Sequence, residues 1–501
     1  MTDTDVHFSR ATATAALLDG ADSHRFLDKN VLLTGDIATL STANGAEMAR
    51  SALQLLMRSC RHVSVAVPHL LLGLAGDLRA DGARFAWDCE PTFVSPDDGY
   101  DGYDAILSIG PDVRPDLPWT AITSNGWLVR VSSGESAIDG ECFQTNAVGA
   151  LAAASIGVCE VFKRLIRLKP ELGEPLDGVT FSLWDYEFGA VAPGPVLGDR
   201  MVADLMLNGA GAIGSAVIHL LARLPLGGQI TIVDNQDYGD ENWGTCLDLE
   251  RGQPGNPKAE IAAGRLPPRL VPRHFKATVD DVRKTELGKS VPWPSVVLNG
   301  LDKIDPRHHA QQIWPDIAID GAIDADLQVR VSAHPWPADV ACLICTFKLP
   351  PGENAEAAAA RVTGLSMTSV ADQDRELNET DIEAAVPEKR EGLRAKLGQK
   401  ICSIVSEEIA RSMSEAQLAE RFSPSVPFAA CFSACMMVTE LVRYLTDGEA
   451  RIRPSFQMSM LHGPENGQRL NDRRHAGCFC VQRSKRIDDH RRKRSQEEKA
   501  A

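Results

Sequence analysis

The chain has 501 residues, 44% of them apolar and 24% charged, with a formal net charge of −16. That length is too great for one ordinary core and predicts two to four domains, the mixed composition excludes a disordered or fibrous chain, and the acidic balance argues against general nucleic-acid binding. The 12 cysteines are too sparse for a disulfide scaffold and read as metal ligands, a nucleophile or buried apolar groups in a reducing compartment. The opening MTDTDVHFSR lacks the basic and apolar regions of a signal peptide, and no run of about 18 apolar residues predicts a membrane span, so a cytoplasmic location is expected.

In chain order, KNVLLTG at 29–35 predicts a strand reaching a turn, MARSALQLLMRSC a helix and HVSVAVP a second strand. YDAILSIG and AITSNGWLVRVSSG follow, then the long apolar helix AVGALAAASIGVCEVFKRLI. The same order returns in the second half as LMLNGAGAIG, a helix, QITIVD, PSVVLNGLD, DIAIDGAIDADLQVRVS and the apolar helix FAACFSACMMVTELVRYL. This alternation predicts an α/β fold of two doubly wound, mainly parallel, Rossmann-like domains in tandem. The expected domains are 1–193, then 194–350 with 425–484. Residues 351–424 form a partly helical crossover insertion, and a charged tail at 485–501 is expected to be disordered.

Chemistry concentrates in the second half. Gly209, Gly211 and Gly214 have the GxGxxG spacing between a strand and a helix, and the next strand ends on Asp234. Glycines at those positions let backbone approach a phosphate at a helix N-terminus, and the acid is placed to accept hydrogen bonds from ribose hydroxyls. Around Gly35 the first half reads LTGDIATLST, with neither the glycine spacing nor an acid after its second strand, and is expected to have lost nucleotide binding.

Downstream, Asp234 is followed by Asn242, by NPKAE with Lys258, and by VVLNGLDKIDPR with Asp302 and Arg307; CLIC then supplies Cys342 and Cys345. On these residues the second half resembles the ubiquitin-activating-enzyme superfamily, which includes the ThiF- and MoeB-like adenylyltransferases of bacteria. The resemblance covers about 200–350 and 425–480, and the whole chain if the tandem holds. It implies that Asp234 holds the ATP ribose, that Asn242 and Lys258 contact the phosphates with Arg307 nearby, and that Asp302 coordinates Mg²⁺. It also implies that Arg10, in HFSRA, reaches a neighbouring ATP site, supplied here by the inactive half of the same chain. One departure stands out. Where the family carries an arginine, this chain has Thr245, and Arg251 is the candidate replacement.

The resemblance pairs Cys342 and Cys345 with Cys478 and Cys480, four thiolates suited to tetrahedral zinc, although the second pair is one residue short of CxxC; His475 is a substitute ligand. Many family members pass the activated carrier to a cysteine. Cys402 lies in the crossover segment where that nucleophile is expected, with Ser366 and Thr368 as hydroxyl substitutes, whereas Cys431 and Cys435 read as core and Cys246 lies in the nucleotide loop.

The implied activity is ATP- and Mg²⁺-dependent adenylation of the C-terminal glycine of a ubiquitin-like or sulfur-carrier protein, followed by transfer to a thiol or a conjugating enzyme. No nucleic-acid or membrane partner is expected, and homodimerisation is left open. Two other readings stay open: an NAD-dependent oxidoreductase, which the glycine loop and Asp234 alone allow, and a catalytically weak scaffold that binds a ubiquitin-like partner, motivated by Thr245.

Overall fold

The computed structural model describes residues 6–87, 89–198, 200–284, 293–324, 326–337, 339–347, 359–361, 363–371, 375–399, 401, 404–405, 426–448 and 455–500. The first half contributes β1 (Asn30–Gly35), β2 (His62–Val65), β3 (Thr92–Phe93), β4 (Ala105–Ile109), β5 (Trp119–Asn125), β6 (Leu128–Ser132), β7 (Val179–Ser182) and β8 (Glu187–Phe188). The second contributes β9 (Met201–Asn208), β10 (Leu226–Val233), β11 (Leu270–Phe275), β12 (Val296–Asn299), β13 (Ile317–Ile323), β14 (Gln328–Pro335), β15 (Ser455–Ser459) and β16 (Gly463–Arg469).

The two eight-stranded sheets have the same order, β3-β2-β1-β4-β5-β6-β7-β8 and β11-β10-β9-β12-β13-β14-β15-β16. In each, the first five strands along the sheet are parallel and the last three pairings are antiparallel. The tandem α/β reading therefore stands, with sheets that are mixed rather than mainly parallel at one edge. The parallel strands β1, β4, β5, β9, β12 and β13 are buried along nearly their whole lengths, which accounts for their continuous apolar runs.

The two halves share one core. Helix Ala147–Ile166 of the first packs on helix Pro427–Asp447 of the second, with Phe162 and Phe428 rings 5.5 Å apart. Tyr186 stacks on Phe456 at 4.4 Å and donates its hydroxyl to Glu440 Oε1 at 2.7 Å, while Arg443 donates to the Leu183 carbonyl at 3.0 Å. Helix Pro427–Asp447 is long and apolar enough to cross a membrane by length and composition, but its apolar side chains fill this core. Cys431 and Cys435 lie on it fully buried, and burial pushes both thiols up. Both halves accordingly belong to one compact unit, residues 1–347 with 423–501.

Residues 348–422 form a second unit. Its small core gathers Ala359, Leu365, Val370, Leu377, Ile382 and Leu393 among others. Ser366 Oγ lies 2.8 Å from Ser369 Oγ, which donates to Asp381 Oδ1 at 2.7 Å; Arg375 pairs with that carboxylate and holds it at about 2. Thr368 Oγ1 lies 2.9 Å from Ser366 Oγ. The Ser366 chain of hydroxyls thus ends on a carboxylate already occupied by an arginine, a poor general base. Cys402 lies outside the described residues.

The tail differs from expectation. Residues Ser484–Ala500 are helical rather than disordered. Ile487 supplies the apolar anchor that the charge pattern obscured, buried with Trp314 and Trp336. Trp336 Nε1 donates to Asp488 Oδ1 at 2.9 Å, and Arg491 pairs with Asp316.

Candidate functional site: a nucleotide-phosphate loop and a four-cysteine cluster

The strand order reverses beside β9, and its C-terminal end carries the glycine loop into helix Ala212–Arg223. Gly209 has φ +85°, which favours glycine, and a Cβ there would meet the Gly300 carbonyl at 2.7 Å. A Cβ on Gly214 would meet the Gly209 carbonyl at 2.0 Å, whereas one on Gly211 would face open space. Two of the glycines are thus demanded by packing, and the middle one faces an open approach to the helix N-terminus, where an anion is favoured.

Asp234, following β10, accepts from the Ala210 N–H at 2.7 Å and from the Gln236 N–H at 2.9 Å, one bond to each carboxylate oxygen. Tyr238 donates its hydroxyl to the Ala210 carbonyl at 2.8 Å. The loop is therefore held from both sides by the segment after β10. Tyr238 is paired in turn with the Asn256 carbonyl through its N–H, which brings the NPKAE segment alongside. Lys258, 6% exposed, donates from Nζ to Gln236 Oε1 at 2.8 Å and lies 5.8 Å from the Tyr238 ring. No carboxylate among the described residues pairs with it. A buried ammonium satisfied only by a neutral amide is prepared for an incoming anion.

Asn242 spends its side-chain oxygen on the Gly239 N–H at 2.9 Å, closing the turn Asp240–Asn242. Asp302 is exposed two residues past Gly300, the residue that abuts Gly209, so it stands at the same strand ends as the glycine loop. Arg307 is turned elsewhere. Its Nε lies 3.0 Å from Asp320 Oδ1, and its guanidinium covers the Phe347 ring at 4.5 Å. Burial pushes the Asp320 carboxyl up to about 6 against the pull of Arg307, so that arginine's charge is committed to a core pair.

Loop 240–253, which includes Asn242, is gripped by the first half. Buried Arg58 donates to the carbonyls of Cys246 at 2.9 Å and Leu249 at 3.4 Å, Gln54 exchanges two hydrogen bonds with Asp248, and Arg84 pairs with Glu250 at 2.7 Å. Trp243 donates to the Phe85 carbonyl at 2.8 Å, and Phe8 packs edge-on against it at 6.0 Å. A Cβ on Gly244 would meet the His7 carbonyl at 2.3 Å. The N-terminal segment of this chain thus lies on its own nucleotide loop, and half-buried Arg10 follows two residues after Phe8. Thr245 is buried, with its hydroxyl 3.3 Å from the Asn242 carbonyl, and Arg251 is exposed on the outer turn beside Glu250. Cys246 is buried and burial raises its thiol, so it lacks the exposure of a nucleophile.

Gln236, Tyr238 and the Arg58–Gln54 grip were missing from the sequence reading. Gln236, two residues past the acid, carried a local signal; Arg58 and Gln54 reach partners nearly 200 positions away and carried none.

Beside Trp314, which precedes β13, and Trp336, which follows β14, Cys342, Cys345, Cys478 and Cys480 bring their four sulfurs within 4.8 Å of one another. Cys342–Cys478 and Cys345–Cys480 are each 3.7 Å apart, close to the roughly 3.8 Å expected between thiolates around a tetrahedral zinc. Cys478 caps the short helix Phe479–Gln482, which turns Cys480 back toward the same centre and makes CxC sufficient. The His475 N–H donates to Cys345 Sγ at 3.3 Å, while its ring Nδ1 faces the Gly477 N–H at 3.2 Å, so His475 supports the cluster through its backbone. The cluster is compatible with structural zinc.

An open glycine loop, a carboxylate that fixes it and a buried lysine unpaired by acid define a nucleotide-phosphate site on a doubly wound sheet. The chain belongs to the ThiF family, a family of adenylyltransferases, whose model matches residues 202–479. That membership sets aside the oxidoreductase reading. Among solved structures the chain resembles E. coli MccB with succinimide (12% identity, TM-score 0.35, covering 72% of this chain and 96% of that chain). It likewise resembles E. coli MccB with ATP (12% identity, TM-score 0.36, 72% and 97% covered). A third is MccB in complex with N-formylated MccA (11% identity, TM-score 0.35, 72% and 97% covered). No curated protein matches the chain.

Proposed function

We propose that this protein uses ATP to adenylate the C-terminal glycine carboxylate of a ubiquitin-like protein, and that the product passes to a thiol or a conjugating enzyme. The observation that carries the reading is Lys258, a buried cation hydrogen-bonded to Gln236 and paired with no carboxylate among the described residues, in the segment packed against the open glycine loop. A carboxylate oxygen attacks the α-phosphorus, the bond to the bridging oxygen breaks, and pyrophosphate leaves. Two anions must meet in that step, so the chain's contribution is positioning and charge compensation. Lys258 offsets phosphate charge, the Gly211 N-terminus of helix Ala212–Arg223 receives a phosphate oxygen, and Asp234 orders the loop and faces the ribose. Arg10, in the N-terminal segment whose Phe8 packs on Trp243, would add a cation.

Asp302, exposed and unpaired among the described residues, is the carboxylate that would hold Mg²⁺, with phosphate oxygens and water completing the shell. Bound there, the cation would neutralise phosphate charge. Cys402 remains the candidate acceptor thiol, and the crowded Ser366 hydroxyl is a weaker one. The free described cysteines fit a reducing compartment such as the cytoplasm.

ATP–pyrophosphate exchange driven by a glycine-ended ubiquitin-like protein tests the reading. Exchange with that carrier, lost when its terminal glycine is removed, supports it. Exchange driven only by short peptides would replace the carrier class. Carrier binding with no exchange would favour the scaffold reading.

A further inference from the structure

A recess of about 570 Å³ opens at the opposite end of the second sheet, lined by Arg200, Arg223, Leu224, Pro225, Gly227 and Arg269. Arg200 precedes β9, Leu224 and Pro225 precede β10, and Arg269 precedes β11, three adjacent parallel strands. The recess therefore lies at their N-terminal ends, on the order of 25 Å from the glycine loop at the other end of β9. Among the described residues, three guanidiniums and no carboxylate line it, in a chain of net charge −16.

The two inner arginines are fixed in place, Arg269 by backbone carbonyls alone and Arg223 by a carboxylate as well. Arg269 donates from Nε to the Leu224 carbonyl at 3.2 Å and from one terminal nitrogen to Ala222 at 2.6 Å and Leu224 at 2.8 Å. Its other terminal nitrogen has no partner among the described residues. Arg223 pairs through Nε with Glu47 at 2.6 Å and donates from one terminal nitrogen to the His219 carbonyl at 3.1 Å, with no hydrogen bond from its other terminal nitrogen among the described residues. Arg200 is exposed at the rim. Fixing a guanidinium on backbone carbonyls at a helix C-terminus prepays its side-chain entropy while preserving its charge. Gly227 keeps the floor low, since a Cβ there would stand 3.1 Å from the Arg269 carbonyl.

We propose that this arginine recess is a second anion site, which takes a small phosphate-bearing ligand independently of the nucleotide loop. The remaining terminal N–H groups of two fixed guanidiniums suit the oxygens of a tetrahedral oxyanion, with the exposed Arg200 adding a third cation at the rim. The site needs neither carrier nor turnover, so it stands or falls apart from the adenylation reading.

The test is calorimetric titration of inorganic phosphate and pyrophosphate into the full chain carrying Lys258→Met, which removes the nucleotide-loop cation. Binding that weakens as salt rises is expected. Arg269→Met and Arg200→Ala should each weaken it about tenfold. Arg200 supports no described group, so Arg200→Ala retains the fold and serves as the safeguard if Arg269→Met lowers the melting temperature. Absence of binding at millimolar anion, or binding unchanged by both substitutions, overturns the proposal. Succinate is the carboxylate comparison; succinate binding tighter than phosphate overturns the ligand class.

Discussion

Lys258 Nζ donates to Gln236 Oε1 at 2.8 Å, so this buried cation rests on a neutral amide. An ion pair there would have to be broken for a phosphate to bind; an amide bond costs far less to exchange. Lys258→Met is expected to reduce pyrophosphate exchange on the order of 100-fold. Gln236→Glu should reduce it as well, by giving the lysine a permanent counterion, with little change in melting temperature. An exchange rate unaffected by Gln236→Glu would show that Lys258 does not meet the phosphates.

The glycines separate by geometry. Gly214→Ala puts a methyl 2.0 Å from the Gly209 carbonyl and should disrupt the loop, lowering both nucleotide binding and thermal stability. Gly211→Ala meets nothing in the protein, so stability should hold while ATP affinity falls. Differential scanning fluorimetry with and without ATP distinguishes the two outcomes.

Arg58 tests the dependence of the nucleotide loop on the first half. Burial pulls its guanidinium down to about 10, so it remains charged at neutral pH while bonded to the carbonyls of Gln54, Cys246 and Leu249. Arg58→Met leaves those carbonyls without their donor and should cost about 3 kcal/mol of stability. The same variant should raise the KM for ATP, because Asn242 and Trp243 lie in the loop it releases.

His219 carries a pH signature. Burial pulls its imidazole down, but Asp248 Oδ2 at 2.7 Å, with Glu47 Oε1 at 3.4 Å on the other nitrogen, outweighs burial and the repulsion of Arg223, and the net shift is upward. A raised imidazole stabilises fully below its ordinary value near 6.5 and loses that contribution as pH rises through the folded value. Asp248 moves the other way: burial raises it, His219 more than offsets that, and its contribution fades as pH falls below the ordinary carboxylate range. The melting-temperature gap between wild type and His219→Gln should therefore be widest at mildly acidic pH and narrow above neutrality. A gap independent of pH would mean that His219 is neutral in the folded protein.

The four sulfurs make a quantitative prediction about metal. Purified protein should hold about one zinc per chain, and Cys480→Ser should lower both zinc content and melting temperature. A strong chelator should release the tail helix as well, since Ile487 packs in the cluster that contains the four cysteines. Trypsin cleavage within 485–494 before and after chelation measures that release.

Much of the fold was legible because its signals are local. The apolar runs ending at Gly35 and Gly209, the spacing of Gly209, Gly211 and Gly214, and the run into Asp234 each sit within a few residues of what they determine. The antiparallel edge and the grip of Arg58 and Gln54 depend on partners far along the chain, and no window of sequence contains both sides. Arg307 misled for the same reason. Its position in a motif-like series pointed to phosphate, whereas Asp320, which claims it, belongs to the next strand. Thr245 reads as a lost arginine in sequence; in the fold that position is sealed beneath the loop that the first half covers.

The second sheet is closed by β15 and β16, whose residues follow β14 only after the separate unit of 348–422 and the apolar helix Pro427–Asp447. During synthesis, then, a ribosome exposes a complete nucleotide loop long before it supplies the strand that covers β14. Until residue 455 emerges, β14 is an open edge, and until residue 447 the second half's central helix is incomplete, a state prone to wrong pairing. A chain cut short after 347 would retain the nucleotide motifs with β14 uncovered, and is expected to aggregate more readily than the full chain.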